Sequence, residues 1–258
     1  MDGFQFIEAS IEAPIGHIVL NRPKQLNALN RQMIQEIVAA AEAFDQDSAV
    51  RVILISGNGQ AFSAGADIDE MAEETAVGME LRNQFADWDR LSLVKKPIIG
   101  AVKGYVLGGG FELALACDLL IAAQDTRFSF PEVTLGVMPG AGGTQRLTKL
   151  VGKTKALEWI LTGQRINAEM ALRYGIINQI TEPDHVLEEA KVMAGRIAAQ
   201  APLAVRLIKE SVHKAVDYSL YEGMQYERKN FYMLFASEDQ KEGMRAFVEK
   251  RKSNFTGR

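Results

Sequence analysis

The chain has 258 residues, of which 47% are hydrophobic and 24% charged, and this ordinary globular composition excludes disordered, collagen-like and coiled-coil architectures. A net charge of -4 makes the chain a poor general binder of nucleic acid or of anionic membranes. A single cysteine, Cys117, excludes an internal disulfide framework and favours a reducing compartment, and with three scattered histidines it forms no metal-ligand cluster.

The first half of the chain alternates between strand-like and helix-like segments. Apolar spacing of three and four residues after Asn30, a good helix N-cap, predicts a helix. Short runs rich in β-branched residues predict strands at 18–20, 50–55, 98–102 and 119–123. Strands that alternate with helices indicate a buried parallel sheet with crossover helices, and therefore an α/β core.

From about residue 145 onward the pattern becomes mainly helical. One helical stripe ends at Gly163, and Asn167 is placed to cap a further helix that ends near Gly175. Only 176–180 reads as a strand in this half. Helices are predicted at 186–199, 203–216, 220–235 and 243–250. We therefore predict an α/β core over residues 1–195 and a helical C-terminal region over residues 196–258.

The N-terminal residues show no basic segment followed by an apolar stretch, which argues against a secretory signal. The most apolar region is interrupted by charges at Lys103, Glu112 and Asp118, which argues against a transmembrane segment. We therefore expect a cytoplasmic protein without membrane association.

Two loops rich in small residues follow two of the predicted strands. One spans 61–67, and the other spans 104–110 directly before a helical run. Small residues let the backbone approach a ligand closely, and one N–H group from each loop would form an oxyanion hole. Glycines of this kind also make ordinary tight turns, so the loops alone leave both interpretations open.

Two glutamates lie near predicted helix starts. Glu112 follows the triple glycine 108–110, and Glu132 follows Pro131, a residue suited to the first position of a helix. Acidic residues are common at helix N-termini because they interact favourably with the helix dipole. Two such carboxylates with apolar sequence neighbours also suit acid–base chemistry, because one can take a proton while the other gives one.

Motifs along nearly the whole chain match one known family. They lie at 21–23, 27–29, 61–67, 97–102, 104–112, 117–118, 131–132, 135–136, 139–147, 161–163 and 247–251. Taken together these motifs are highly specific, and the chain resembles the crotonase superfamily, most closely the enoyl-CoA hydratases. The resemblance implies a crotonase-like spiral of ββα units, followed by C-terminal helices that mediate trimer formation. It also implies a hexamer built from two trimers.

The resemblance implies the reaction and the site residues as well. Water would add reversibly across the 2,3 double bond of trans-2-enoyl-CoA to give 3-hydroxyacyl-CoA, as in fatty-acid β-oxidation. Coenzyme A belongs to the substrate, and no separate cofactor or metal is implied. The N–H groups of Ala64 and Gly109 would bind the thioester oxygen, Glu112 would activate the water, and Glu132 would protonate the α-carbon. The implied substrate-binding residues are Ala64, Gly65, Ala66, Asp67, Ile68, Gly108, Gly109, Pro131 and Gly140.

Two departures from the hydratase pattern leave the acyl-chain preference open. Phe130 stands where hydratases often carry glutamine, and Phe111 is bulkier than the residue many relatives carry. Neither change removes a catalytic group. Related isomerases that shift the double bond typically keep one glutamate, so the presence of both Glu112 and Glu132 favours hydration over isomerisation.

Two basic segments raise other possibilities. Some relatives bind RNA through a lysine-rich helix, but here the helix 203–216 carries Arg206 and Lys209 beside Glu210. This mixed face argues against RNA binding. The run 250–252 could meet coenzyme A phosphates or form an ordinary solvated surface, and the sequence leaves both interpretations open.

Overall fold

Nine strands form two sheets in the structure, a computed structural model that describes residues 3–258. The strands are β1 (Ile7–Glu12), β2 (Ile15–Leu20), β3 (Val52–Gly57), β4 (Ile98–Val102), β5 (Tyr105–Leu107), β6 (Leu119–Ala123), β7 (Arg127–Ser129), β8 (Ile166–Asn167) and β9 (Gln179–Thr181). The six-stranded sheet has the order β1-β2-β3-β4-β6-β9, and only the β1–β2 pair is antiparallel. The smaller sheet has the order β5-β7-β8.

Eleven α-helices accompany the sheets within residues 3–258. They are α1 (Arg31–Gln46), α2 (Ala76–Arg82), α3 (Ala86–Ser92), α4 (Gly109–Ala116), α5 (Gly143–Val151), α6 (Lys153–Thr162), α7 (Ala168–Arg173), α8 (Val186–Ala198), α9 (Pro202–Ala215), α10 (Leu220–Leu234) and α11 (Glu238–Val248). A short 3-10 helix, Pro131–Leu135, carries Glu132.

The large sheet is buried on both faces because its central strands are apolar throughout. Successive side chains of a strand point to opposite faces. In β3, Ile53 and Ile55 therefore pack into the main core with α1, whereas Val52 and Leu54 pack into a second cluster with α8. This two-sided burial explains why β3 reads as a continuous apolar run rather than an alternating one.

The small sheet brings the two glutamates together. Strand β5 leads through Gly108 into α4, and β7 leads through Phe130 into the 3-10 helix of Glu132. The two strands are parallel neighbours, and the Gly108 N–H donates to the Ser129 carbonyl oxygen at 2.9 Å. Helix α4 and the 3-10 helix, which are separated in sequence, therefore begin side by side at the same end of the small sheet.

Most of the predicted elements are confirmed. The strands at 98–102 and 119–123 are found as predicted, and Asn30 and Asn167 cap α1 and α7 through their side chains. The prediction of a single strand after residue 145 is wrong, because β8 pairs with β7. This strand has only two residues, too few to show a periodic pattern. The last helix is also longer than predicted, because Ser237 caps its start.

The predicted division of the chain into a core and a helical region stays a prediction. Its boundary, between residues 195 and 196, falls inside α8, whose buried alanines reach Ala198 and pack against the large sheet.

Helices α9, α10 and α11 leave many large apolar side chains exposed. A large exposed apolar surface is typical of a protein–protein contact. The exposed residues of these helices and their connections include Ile208, Val212, Val216, Leu220, Tyr221, Phe231, Tyr232, Phe247 and Val248. Within residues 3–258 no helix has the length and apolar character needed to cross a membrane.

Candidate active site

A cavity of about 530 Å³ lies beside the N-terminus of α4. Both predicted glutamates, Glu112 and Glu132, line it, together with Ala66 and Gly109 from the two small-residue loops. The prediction that these segments converge on one site therefore agrees with the geometry.

Glu112 is held in a fixed position by the loop before α5. The residue lies in the first turn of α4 and is only 4% exposed. Its Oε1 accepts hydrogen bonds from the Ala141 N–H at 2.7 Å and from the Gly143 N–H at 2.8 Å. Burial raises the pKa of this carboxyl above its usual range, although the two N–H groups and the Arg146 charge oppose the shift.

Glu132 has a different environment from Glu112. Burial, reinforced by the negative charge of Glu112, raises the pKa of Glu132 to about 7, against an opposing hydrogen bond from its own backbone. Its Oε2 is buried, and no hydrogen-bond donor among residues 3–258 reaches it. The cavity therefore combines a carboxylate held by two N–H donors with a second carboxyl that keeps its proton up to about neutral pH.

Gly108 is required at the junction between β5 and α4. Its φ of 49° lies in the left-handed region that favours glycine. A Cβ atom at this position would also approach the Glu132 Oε1 to 3.0 Å. The triple glycine thus allows Glu132 to lie against the start of α4.

Ala66 and Gly109 line the cavity, and their backbone N–H groups have no acceptor among residues 3–258. Gly109 is the first residue of α4, where the N–H groups have no partner within the helix. A Cβ on Gly109 would lie 3.4 Å from the Ala66 nitrogen, so the two groups are close neighbours. They have the arrangement expected of an oxyanion hole.

The prediction that Ala64 supplies one of these donors is wrong. The Ala64 N–H donates to the Leu26 carbonyl oxygen at 2.9 Å, so it is already used within the fold. Ala66 instead pairs with Leu29 in a parallel bridge. In this bridge the Leu29 N–H donates to the Gly65 carbonyl oxygen, and the Asp67 N–H donates to the Leu29 carbonyl oxygen. The bridge does not use the Ala66 N–H, which therefore stays without an acceptor in the part of the chain that the structure describes.

The other predicted substrate-binding residues divide into two groups. Asp67 and Gly140 line the cavity, and Asp67 also forms an ion pair with Arg22 at 2.9 Å. The remaining five do not line it: Ala64, Gly65, Ile68, Gly108 and Pro131.

Sequence reasoning missed the apolar part of the cavity. Segment 71–88, which includes α2 and the first turn of α3, supplies Met79, Phe85 and Trp88, and Met138 adds to the same lining. Phe85 lies against Gly140, where a Cβ would approach the Phe85 ring to 2.7 Å. The signal available in the sequence was this group of large apolar residues outside any regular helical or strand pattern.

Phe111 and Phe130 do not line the cavity. Both are buried, and their rings stack with centroids 4.7 Å apart. The Phe130 ring also packs against Gly143, one of the N–H donors to Glu112. These two residues therefore support the site from behind, and their effect on the acyl-chain preference stays open.

The basic run 250–252 is partly engaged within the chain. Arg251 pairs with Glu242 at 2.7 Å and with Glu249 at 2.6 Å. This favours the interpretation of a structural surface for Arg251.

Within residues 3–258, no group of three or more His, Cys, Asp or Glu side chains could hold a metal ion.

Paired carboxyl groups and two free N–H donors in one cavity are the features of an acid–base enzyme site. Comparisons with known proteins agree with this class. The sequence profile of the family described as enoyl-CoA hydratase/isomerase matches residues 10–258. A probable enoyl-CoA hydratase of Mycobacterium bovis is 48% identical, covering 95% of each chain. A probable enoyl-CoA hydratase of Rhizobium meliloti is 46% identical, covering 99% of each chain.

Solved structures show the same relationship. Enoyl-CoA hydratase subunit I of Geobacillus kaustophilus is 62% identical, with a TM-score of 0.97 and 99% of each chain covered. An enoyl-CoA hydratase of Bacillus anthracis is 35% identical, with a TM-score of 0.92, covering 98% of this chain and all of that one. The chain belongs to the enoyl-CoA hydratase/isomerase family and has the crotonase fold. The predicted family, fold and enzyme class are confirmed.

Proposed function

We propose that the chain adds water reversibly across the 2,3 double bond of trans-2-enoyl-CoA to give 3-hydroxyacyl-CoA. The observation that carries the proposal is the pairing of Glu112 and Glu132 in one cavity beside two free backbone N–H groups. Relatives named enoyl-CoA hydratase support the same reaction. No cofactor is proposed, because coenzyme A enters and leaves as part of the substrate.

The roles follow from the environment of each group. The Glu112 carboxylate takes a proton from water, and the water oxygen bonds to the β-carbon of the enoyl chain. Electrons of the double bond move toward the thioester carbonyl, whose oxygen gains negative charge and accepts hydrogen bonds from Ala66 and Gly109. Glu132, which is protonated up to about neutral pH, then gives its proton to the α-carbon. Each fixed N–H donor contributes about 3 kcal/mol to such a transition state.

Isomerisation of the double bond is the alternative reaction of the family. A shift of the double bond requires one group that removes a proton and returns it, whereas hydration uses a base and an acid together. Two carboxyl groups with different environments therefore favour hydration.

The substrate test compares the two reactions directly. Purified protein is mixed with crotonyl-CoA and, separately, with a 3-enoyl-CoA, and the absorbance of the conjugated thioester is followed. Hydration predicts loss of absorbance with crotonyl-CoA at a rate well above any gain with the 3-enoyl substrate. A gain with the 3-enoyl-CoA and no change with crotonyl-CoA would show an isomerase instead.

The pH dependence of kcat/KM is expected to be bell-shaped in the hydration direction. Activity falls at low pH as Glu112 gains a proton, because only the carboxylate can accept one from water. It falls again as pH rises through about 7, because Glu132 loses the proton that it must donate. Initial rates with crotonyl-CoA over the range from about pH 5 to about pH 9 measure both limbs. A rate that stays constant well above neutral pH would exclude Glu132 as the proton donor.

Assembly and location are further parts of the proposal. The exposed apolar faces of α9 and α10 support a trimer formed through the C-terminal helices, and two trimers would form a hexamer. Light scattering of the purified protein measures this directly. A cytoplasmic location and a role in fatty-acid β-oxidation stay predictions.

A further inference from the structure

The loop 140–143 separates the active-site cavity from a second cavity of about 500 Å³. Gly140 and Ala141 line the first cavity, and Gly142 lines the second. Both N–H donors to Glu112 belong to this loop. The position of the loop therefore fixes the position of the Glu112 carboxylate.

Arg146 holds this loop from the side of the second cavity. It lies in the first turn of α5, and its Nη1 donates to the Ala141 carbonyl oxygen at 2.7 Å. Its guanidinium also covers Gly142, whose φ of 101° needs glycine and where a Cβ would collide with the Arg146 head group. The guanidinium thus contacts Ala141, one of the two N–H donors, and Gly142, the residue between them.

Within the described residues, 3–258, the positive charge of Arg146 has no acidic partner. Other charged groups that line the second cavity are paired: Asp118 with Lys209 at 2.7 Å and with His213 at 2.9 Å, and Lys149 with Asp217. Among residues 3–258, no carboxylate lies within ion-pair distance of Arg146. Its charge therefore acts on the loop and, beyond it, on Glu112.

We propose that Arg146 is a positioning residue that holds loop 140–143 on Glu112 and keeps Glu112 ionised for water activation. The inference rests on the proposed hydratase function. Among the charged groups around Glu112, Arg146 on α5 favours its carboxylate form. The Glu112 carboxylate in turn raises the pKa of Glu132 on the 3-10 helix. In agreement, the pKa of Glu112 is raised by burial, and the Arg146 charge is one of the influences that lower it.

The test compares Arg146→Met, Arg146→Lys and Lys149→Met by the pH profile of kcat/KM for crotonyl-CoA. Arg146→Met removes the charge and the hydrogen bond, so kcat is expected to fall by about tenfold or more, and the acid limb is expected to move to higher pH. Arg146→Lys keeps the charge and is expected to restore the acid limb. Lys149→Met removes the same charge from the same helix without touching the loop, and its profile is expected to match that of wild type.

A second readout does not depend on turnover. In protein labelled with ¹³C at the glutamate carboxyl carbons, the Glu112 signal is assigned by its loss in Glu112→Gln and followed as pH changes. Arg146→Met is expected to move this titration to higher pH. The proposal would be overturned if the Glu112 titrations of wild type and Arg146→Met were superimposable. It would also be overturned if the acid limb of the kcat/KM profile moved as far in Arg146→Lys as in Arg146→Met. If wild type hydrates no enoyl-CoA, the proposed function fails, and the titration still decides the role of Arg146.

Discussion

Glu112→Gln and Glu132→Gln are each expected to lower kcat for hydration of crotonyl-CoA by about 10²–10⁴-fold, the usual loss when acid–base catalysis is removed. Glutamine keeps the size of each side chain, and at position 112 its oxygen can still accept the hydrogen bonds of Ala141 and Gly143. The amide cannot take a proton from water, and at position 132 it has no acidic proton to give. KM is expected to change little, because neither carboxyl group is proposed to hold coenzyme A.

A matched control for these variants is Glu70→Gln. Glu70 lines the same cavity, but its Oε2 accepts from the Arg31 N–H at 2.8 Å, and it has no proposed chemical role. Its kcat is therefore expected to stay within about threefold of wild type, since surface changes of this kind have small effects. If Glu112→Gln or Glu132→Gln behaved like Glu70→Gln, the proposed acid–base pair would be wrong.

Ala66→Pro is expected to lower kcat by about 10²–10³-fold, which is the typical loss for one oxyanion donor. Proline removes the free N–H group and no other polar atom. The φ of Ala66 is not positive, so it has the sign that a proline ring requires. Steady-state rates with crotonyl-CoA, with thermal unfolding to confirm the fold, provide the measurement.

Ala66→Ser keeps the N–H group and serves as the control for this position. We expect it to retain most of the wild-type kcat, so the difference between the two variants isolates the N–H group. Equal activity of Ala66→Pro and Ala66→Ser would mean that the thioester oxygen is bound elsewhere.

The main sheet was predictable because its strands carry a strong signal. Strands β4 and β6 are short, apolar and rich in branched residues, and Asn30 marks the start of α1. The small sheet was not predictable, because β5, β7 and β8 have only two or three residues each. Strands this short form because they pair with neighbouring strands, and their own residues carry too little pattern to predict them.

The sequence was sufficient to predict which segments form the site. It was not sufficient to predict which backbone N–H groups serve as hydrogen-bond donors. Ala64 and Ala66 are identical residues on either side of Gly65, so composition cannot decide which N–H group is free. The choice depends on hydrogen bonds made with Leu26 and Leu29, which are far from the loop in sequence. Such pairings exist only in the folded chain.

The role proposed for Arg146 shows a similar limit. In the sequence it is one cation in a helix with a basic neighbour at Lys149, and nothing distinguishes the two. The fold separates them, because Lys149 pairs with Asp217 whereas Arg146 reaches the Ala141 carbonyl oxygen.

Hydration of crotonyl-CoA in D₂O, with the product read by mass spectrometry and NMR, tests the central claim most directly. If Glu112 and Glu132 add water as proposed, the product carries a hydroxyl group on the β-carbon and one deuterium on the α-carbon. Recovery of unchanged crotonyl-CoA, or deuterium exchange without addition of the hydroxyl group, would contradict the claim that this cavity is the site of a hydratase.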